Sequence, residues 1–447
     1  MRNQHASLWI WMFLFPLSLD YKASEDASSH LLQILLVVPV LGAGLILILI
    51  APRFQGRSKM RAFVTCALAL TIVGSVVTQL LQGNDFGNYL RVLLPFMLFV
   101  LGYKVANSPW HEQRVSQIEK ALFWANVVCL IFTFVYGMAT VGGVENVRYR
   151  IVSSTFLVLQ GVLLHEFVIT KHFTKFTVLL FAGTVVIELL SVTRSLLLGT
   201  ALLLALATWM GASSMHSLIR SGLRAAVIGL ICGGVVMAAA SYIPGVAEHW
   251  TNRIFASKNT ESGKDPTTIT RLAEMKDQYD QIMSSTDALL FGKGYGHYYR
   301  YSPAYLPDLT GQISEKDFYA IHEWFAGHNF WVYQLFAGGI VFGLALPLAL
   351  LFALIKCCMA YRRWRATAPD ALYLPVMGRA ILMVAALPAT SIGGNPLGQR
   401  FAGLVFGVAL GLMVSVYAQL QRAHPAPRPR RTMSMNAAAY TKLEPSA

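Results

Sequence analysis

LLQILLVVPVLGAGLILILIA, residues 31–51, carries one polar side chain, Gln33, and no charge, and it runs directly into Pro52, Arg53, Arg57, Lys59 and Arg61. An α-helix rises ~1.5 Å per residue, so a run of this length crosses the ~30 Å hydrocarbon layer of a bilayer. Basic residues behind such a run hold a connection on the cytoplasmic side of a membrane. The same couplet recurs along the chain, with apolar blocks of about 16 to 25 residues between short polar connections. Of the 447 residues, 55% are hydrophobic and only 13% charged. That is more apolar surface than the interior of a soluble domain of this size can hide. The sequence reads as an all-α polytopic membrane protein.

About twelve transmembrane helices fit, at 8–20, 31–51, 62–82, 89–105, 121–140, 151–170, 176–193, 195–211, 225–246, 329–355, 376–392 and 402–420. In this layout residues 1–246 carry spans one to nine, 247–327 form one large loop, 328–420 carry spans ten to twelve, and 421–447 form a tail. Every second connection is basic. Arg53, Arg57, Lys59 and Arg61 are followed by Lys104, Arg114 and Lys120, by Lys171 and Lys175, by Arg220 and Arg224, and by Lys356, Arg362, Arg363 and Arg365. These connections fall on one side with both termini, which predicts cytoplasmic ends and an outward-facing loop at 247–327. The run from Leu8 to Leu19 lacks a small-residue cleavage site of the usual kind and reads as a retained first span. The tail, with Arg428, Arg430 and Arg431 among prolines, reads as a disordered cytoplasmic segment.

A net charge of +14 would suit nucleic acid if it lay on one soluble face. It is spread instead over short connections and the tail, so no nucleic-acid partner is expected. Cys66, Cys129 and Cys232 lie inside apolar blocks, and Cys357 and Cys358 adjoin a basic connection. None falls in the large loop, which argues against a disulfide framework or a metal site.

A loop of about 80 residues is uncommon unless it has structure and a task of its own. Within it, Arg271 to Met283 places Leu272, Met275, Tyr279, Ile282 and Met283 at helical spacing behind Thr270 as N-cap. This predicts a helix lying on the membrane surface over the bundle. Leu290-Phe291-Gly292-Lys293-Gly294-Tyr295-Gly296 then makes a glycine-rich turn, without the Gly-Lys-Ser/Thr ending of a phosphate-binding P-loop.

Four features of the outward side invite chemistry. In Ser191-Val192-Thr193-Arg194-Ser195-Leu196-Leu197-Leu198 an arginine joins two apolar segments. A boundary arginine can simply snorkel to lipid headgroups. The positive-inside rule disfavours it on this face, however, and guanidinium matches phosphate oxygens bidentately. Arg271, at the expected start of the loop helix, is either a solvated surface charge or an anion ligand beside free backbone N–H groups. Gly327-His328-Asn329 stands where the loop meets span ten, a place for a base or for an ordinary interfacial histidine. Glu188, within span seven, is a costly intramembrane carboxylate that suits either chemistry or pairing with a cation.

In combination these elements resemble the O-antigen ligase and O-antigen polymerase superfamily, lipid-linked glycan transferases of the bacterial inner membrane. Arg194-Ser195-Leu196-Leu197-Leu198 looks like that family's Arg-x-x-x-Leu element. The Arg271 helix with Phe291-Gly292-Lys293-Gly294 looks like its Arg-led loop helix and trailing Gly-x-Gly. His328-Asn329 with Gly339 looks like its His-Asn-x9-Gly element, although Phe342 stands at the last motif position and Gly343 comes one residue late. By motif the resemblance covers residues 176–356, and by span count and loop position the whole chain.

The resemblance implies transfer of a glycan from an undecaprenyl-pyrophosphate carrier at the periplasmic face, with no nucleotide sugar, metal or other cofactor. The acceptor would be lipid A–core for a ligase, in lipopolysaccharide biosynthesis. For a polymerase of O-antigen or exopolysaccharide it would be a second lipid-linked glycan. His328 would take the proton of the acceptor hydroxyl, and Arg194 and Arg271 would clamp the pyrophosphate. Asn329 would hold the acceptor or orient the imidazole, and Glu323, a short way before His328, is the reserve carboxylate. The carrier's tail would lie between spans among the membrane lipids.

Two other classes compete. A membrane transporter or flippase of a lipid-linked or anionic substrate suits twelve spans, but no internal repeat is visible and the unusual residues gather at one face. A metal-dependent glycosyltransferase would use Asp20, Glu25 and Asp26 of the first outer loop, which serve equally as a solvated turn.

Overall fold

The computed structural model describes residues 2–20, 27–141, 153–190, 194–223, 263–310, 313–319, 326–391 and 394–424, with isolated positions between 234 and 255. Residues 191–193, almost all of the expected ninth span, Glu25, Asp26, Glu323 and the tail beyond 424 lie outside the described residues.

Helices make up the described structure, and no strand occurs among these residues. They are α1 (Arg2–Leu14), α2 (Ala27–Ile50), α3 (Lys59–Gln82), α4 (Phe86–Ala106), α5 (Glu112–Val141), α6 (Ser153–Leu164), α7 (Lys175–Leu190) and α8 (Arg194–Gly211). In the loop follow α9 (Pro266–Ile282) and α10 (Thr286–Phe291), and after it α11 (Phe330–Gly338), α12 (Ala345–Thr367), α13 (Leu374–Thr390) and α14 (Arg400–Ala423). Among the described residues, 7 helices are long and apolar enough to cross a membrane: Gln33–Ile50, Lys59–Gln82, Phe86–Ala106, Glu112–Thr140, Arg194–Gly211, Ala345–Thr367 and Arg400–Ala423. Shorter apolar helices cover Ala6–Leu19, Ser154–Thr170, Phe330–Gly343 and Leu374–Thr390.

The bundle is organised around α14. Every residue from Phe401 to Ala418 is buried, the burial expected of a helix that is apolar on all sides. Gly403, Gly407 and Gly411 form one small-residue stripe at four-residue spacing. A Cβ at Gly403 or Gly407 would collide with the carbonyl oxygens of Pro95 and Phe99, and one at Gly411 would sit 2.6 Å from that of Tyr103. The constant register makes α4 and α14 a parallel pair in backbone contact, the packing that small residues permit inside a bilayer.

The basic connections gather at one end of this bundle. Arg61 Nε donates to Asn107 Oδ1 at 3.0 Å and stacks 3.6 Å over Phe54, while Arg422 donates to the Gly56 carbonyl at 3.0 Å. Arg365 donates to the Met210 carbonyl at 2.8 Å, and Arg379 pairs with Glu119 at 2.8 Å and Glu166 at 3.3 Å. The loop lies at the other end.

Several boundaries differ from the sequence reading. The first helix runs Arg2–Leu14 and continues as a 3-10 turn at Pro16–Leu19, because Pro16 has no N–H to carry the α-helical ladder on. The expected span 329–355 is broken in two. α11 ends at Gly338, a π turn occupies Gly339–Gly343, and the membrane-length helix begins only at Ala345. Gly339 has φ +60, a conformation that a side chain would resist. The last helix runs to Ala423, so the tail starts past 421. The loop helix starts earlier than the Thr270 cap would have it: Asp265 is the N-cap, accepting from the Thr268 N–H, with Pro266 in the first turn. Aspartate before proline satisfies an orphan donor and supplies a preset φ, a stronger start signal than a mid-helix threonine.

Candidate active site

The site forms where the loop helix α9 meets the start of α11. Asn329 caps α11, its side-chain oxygen accepting from the N–H groups of Trp331 at 3.0 Å and Val332 at 3.1 Å. This turns the chain so that His328 faces α9. There Glu274 accepts twice from the same residue: from the His328 backbone N–H at 2.7 Å and from ring Nδ1 at 2.8 Å. Arg271, one turn earlier on α9, donates Nη1 to Glu274 Oε2 at 3.3 Å, and Gln278 donates to Oε1 at 3.4 Å.

Exposure divides these groups by task. The Glu274 side chain is 1% exposed, while those of Arg271 and His328 are each 35% exposed. The carboxylate is therefore the buried anchor, and the guanidinium and imidazole are the faces that a bound molecule can touch. A carboxylate accepts only, so the ring nitrogen facing Glu274, Nδ1, is the one that donates. Burial pushes the Glu274 carboxyl up, but the two hydrogen bonds and the charge from His328, with Arg271 behind them, outweigh it and hold the group below the ordinary carboxylate range. Burial, then the Glu274 charge, push the Tyr299 hydroxyl up, which keeps it a neutral donor to the Ala326 carbonyl at 3.1 Å.

Arg194 opens α8 and reaches the same helix α9 at its other landmark. Its Nη2 donates to Oδ2 of Asp265, the N-cap, at 2.8 Å. Burial raises the Asp265 carboxyl, while hydrogen bonds from Thr268 and Arg194 lower it further, for a net shift below the ordinary range. Arg194 thus stands at the N-terminus of α9, where the helix dipole also favours anions. Arg271 stands on the second turn, inside the helix and not at its start as expected from the sequence.

The glycine-rich turn anchors this assembly to the bundle. Lys293 N–H donates to the Phe336 carbonyl at 2.8 Å and Gly294 N–H to that of Ala337 at 3.0 Å, so the turn is stitched to the end of α11. Gly292, at φ +82, would place a Cβ 2.6 Å from the N of Gly339, and a Cβ on Gly339 would strike the Leu290 carbonyl. On its other flank Asn84 donates to the Lys293 carbonyl at 2.8 Å, and Asn88 donates to the Tyr298 hydroxyl at 2.8 Å. The two glycine elements, distant in sequence, meet backbone to backbone. The π turn Gly339–Gly343 accommodates one residue more than an α turn. Gly343 packs directly against the Gln334 carbonyl, where no side chain fits.

The residues singled out in the sequence fall as follows. His328 and Arg271 meet on one carboxylate, Arg194 reaches the cap of the helix bearing Arg271, and Asn329 holds the turn under His328. Glu323 lies outside the described residues. Glu188 is buried within α7, where Gln160 Nε2 and Thr200 Oγ1 each donate to it at 3.0 Å. Asp20 is held by Arg400 in two contacts, at 3.0 and 2.7 Å, which gives this loop acid a structural partner.

Glu274 escaped the sequence reading. Most of the apolar stripe expected for α9 turns outward, with Leu272, Tyr279 and Met283 exposed, while its Ile282 joins Ile269, Ala273, Glu274, Asp277 and Gln278 on the buried face. An acid on the alternate face, three residues after Arg271, was the available signal. No protein-family model matches the chain, and no curated protein matches its sequence.

Proposed function

We propose that this chain transfers a glycan from a polyprenyl-pyrophosphate carrier to an acceptor hydroxyl at the outward face of the bacterial inner membrane. The observation that carries the reading is the joint hold of one buried carboxylate, Glu274, on His328 and Arg271. An acceptor hydroxyl is a weak nucleophile, and Nε2 of a ring fixed through Nδ1 is oriented to take its proton. As the hydroxyl oxygen bonds to the anomeric carbon, the bond from that carbon to the pyrophosphate oxygen breaks. The charge left on pyrophosphate is met by Arg271 and Arg194, both fixed before the reaction. Asn329 positions the base through the helix cap, and Glu274 orients the ring. Membrane topology fits the same scheme: about twelve crossings, both termini in the cytoplasm, and the loop outside. The acceptor is lipid A–core or a second lipid-linked glycan.

Donor binding and product formation measured on purified His328→Ala and His328→Gln proteins test this reading. Binding of the lipid-linked donor should persist in both, because the arginines hold that end. Product formation should fall by about 10²–10⁴-fold, the usual contribution of a general base. Full turnover by either variant would remove His328 as the base.

A transporter reading is favoured by the break at Gly339 and by the buried polar group around Glu188. Proteoliposomes separate the two: relocation of a lipid-linked glycan without a new glycosidic bond would select transport.

A further inference from the structure

A cavity of about 370 Å³ opens between α5, α6 and α13, well away from His328. α13 sets the separation. Arg379, near its start, lines the cavity, and Ser391, just past its end, accepts from Trp331 of α11 at 2.8 Å. Twelve residues of helix put about 18 Å between the two places. The cavity lies at the end of the bundle where the basic connections gather, and nothing in the glycan-transfer scheme uses it.

Its chemistry is graded. Glu119, Lys120, Glu166 and Arg379 form one rim, and Phe123, Trp124, Val158, Val162 and Met383 supply apolar walls. Arg379 grips both oxygens of Glu119 at 2.8 Å and reaches Glu166 at 3.3 Å. Two carboxylates around one guanidinium leave a negative charge in surplus, with exposed Lys120 beside them. His165, next to Glu166, is buried with Nδ1 3.3 Å from that carboxylate.

Below the rim lies a second polar group. Asn126 is 2% exposed, and its Nδ2 donates to the Leu122 carbonyl at 2.7 Å. That contact fixes the amide orientation, and it leaves Oδ1 a buried acceptor with no hydrogen-bond partner. Seven residues along α5 place Asn126 about 10 Å deeper than Glu119 on the same face. Asn126 lines the cavity, and its unsatisfied acceptor is met when an occupant of the cavity brings a donor to that amide.

We propose that this cavity binds a single-chain phospholipid with an ethanolamine head, taken from the adjacent leaflet. The ammonium donates to the surplus carboxylate at Glu119 and Glu166, and the phosphate meets Lys120. The free glycerol hydroxyl, a few bonds further in, donates to Asn126 Oδ1, and the one acyl chain lies among Phe123, Val158 and Val162. A choline head has no N–H to donate, and a diacyl lipid carries an ester where the hydroxyl is needed.

The test uses full-length purified protein in detergent, with lysophosphatidylethanolamine, lysophosphatidylcholine and diacyl phosphatidylethanolamine as probes and native mass spectrometry as the readout. Lysophosphatidylethanolamine should bind about tenfold more tightly than either other lipid, the worth of one well-made polar contact. Asn126→Leu should weaken lysophosphatidylethanolamine binding about tenfold and so lose its preference over the diacyl lipid, while the preference over lysophosphatidylcholine, set by the head, stays. Its melting temperature should hold or rise, because an unsatisfied buried acceptor is gone. Val162→Trp should fill the cavity and abolish retention. Equal retention of all three lipids would mean ordinary boundary lipid and overturn the proposal. So would undiminished binding by Asn126→Leu, the variant that decides the matter if Val162→Trp does not fold.

Discussion

At the scale of single residues, Glu274 separates orientation from chemistry. Glu274→Gln keeps the shape but weakens the hold on the imidazole. Turnover should drop by about 10²–10⁴-fold, as when the orienting acid of a hydrolase triad is neutralised, with donor binding kept. Glu274→Ala should in addition cost about 1–3 kcal/mol in thermal or denaturant unfolding, because the His328 backbone N–H loses a buried acceptor. The pH dependence has a definite sign. Glu274 is held below the usual ~4.3 of a glutamate, so the stability it contributes is complete above that value and is lost as pH falls through its lower folded value. Protection from hydrogen exchange along 266–282, taken relative to the intrinsic rate at each pH, should therefore hold from neutral pH down to the usual carboxylate range and fall only below it. Release of α9 near pH 6 would contradict this.

Arg194 poses a related choice between a phosphate clamp and a structural pin on Asp265. Asp265→Asn keeps a good N-cap and removes the charge that competes with phosphate. If Arg194 is a clamp, the variant should bind the lipid-linked donor as tightly as wild type or more so. Arg194→Lys should lose turnover, because an ammonium cannot reproduce a bidentate phosphate contact. Weaker donor binding in Asp265→Asn, or wild-type turnover in Arg194→Lys, would leave only the pin.

At the scale of elements, the glycines are junctions. Gly339→Ala meets both a positive φ and the Leu290 carbonyl, so it should destabilise by more than about 1 kcal/mol and loosen the glycine-rich turn with it. Gly407→Leu should prevent α4 and α14 from closing and leave little monodisperse protein on size exclusion. Gly42→Ala, with nothing within 4 Å of the added carbon, serves as the neutral control. A normal melting profile for Gly339→Ala would mean that the turn and α11 are not joined as described. The start of α9 shows why local reading was only partly successful. Asp265-Pro266 was in plain view, but an outward apolar stripe drew attention to Thr270 and to the wrong face of the helix. In a membrane protein such a stripe can point to lipid, and the polar face can be the buried one.

At the scale of the molecule, sidedness is open to direct measurement. Reporter fusions near Lys258, in the loop, and near Arg220, in a basic connection, should report opposite compartments. The same compartment from both would overturn the proposed orientation. The sequence by itself determined that the chain is helical and bilayer-embedded, where most of the long helices lie, and which connections are basic. Hydropathy, helix period and charge bias are summed over neighbouring residues, so a short window reports them. Only the tertiary structure decided that Glu274 holds His328 across 54 positions of chain, that two glycine motifs share one junction, and that Asn126 borders a cavity. Those facts depend on which helix faces pack together, a choice made by the whole bundle as it excludes lipid and satisfies its buried polar groups.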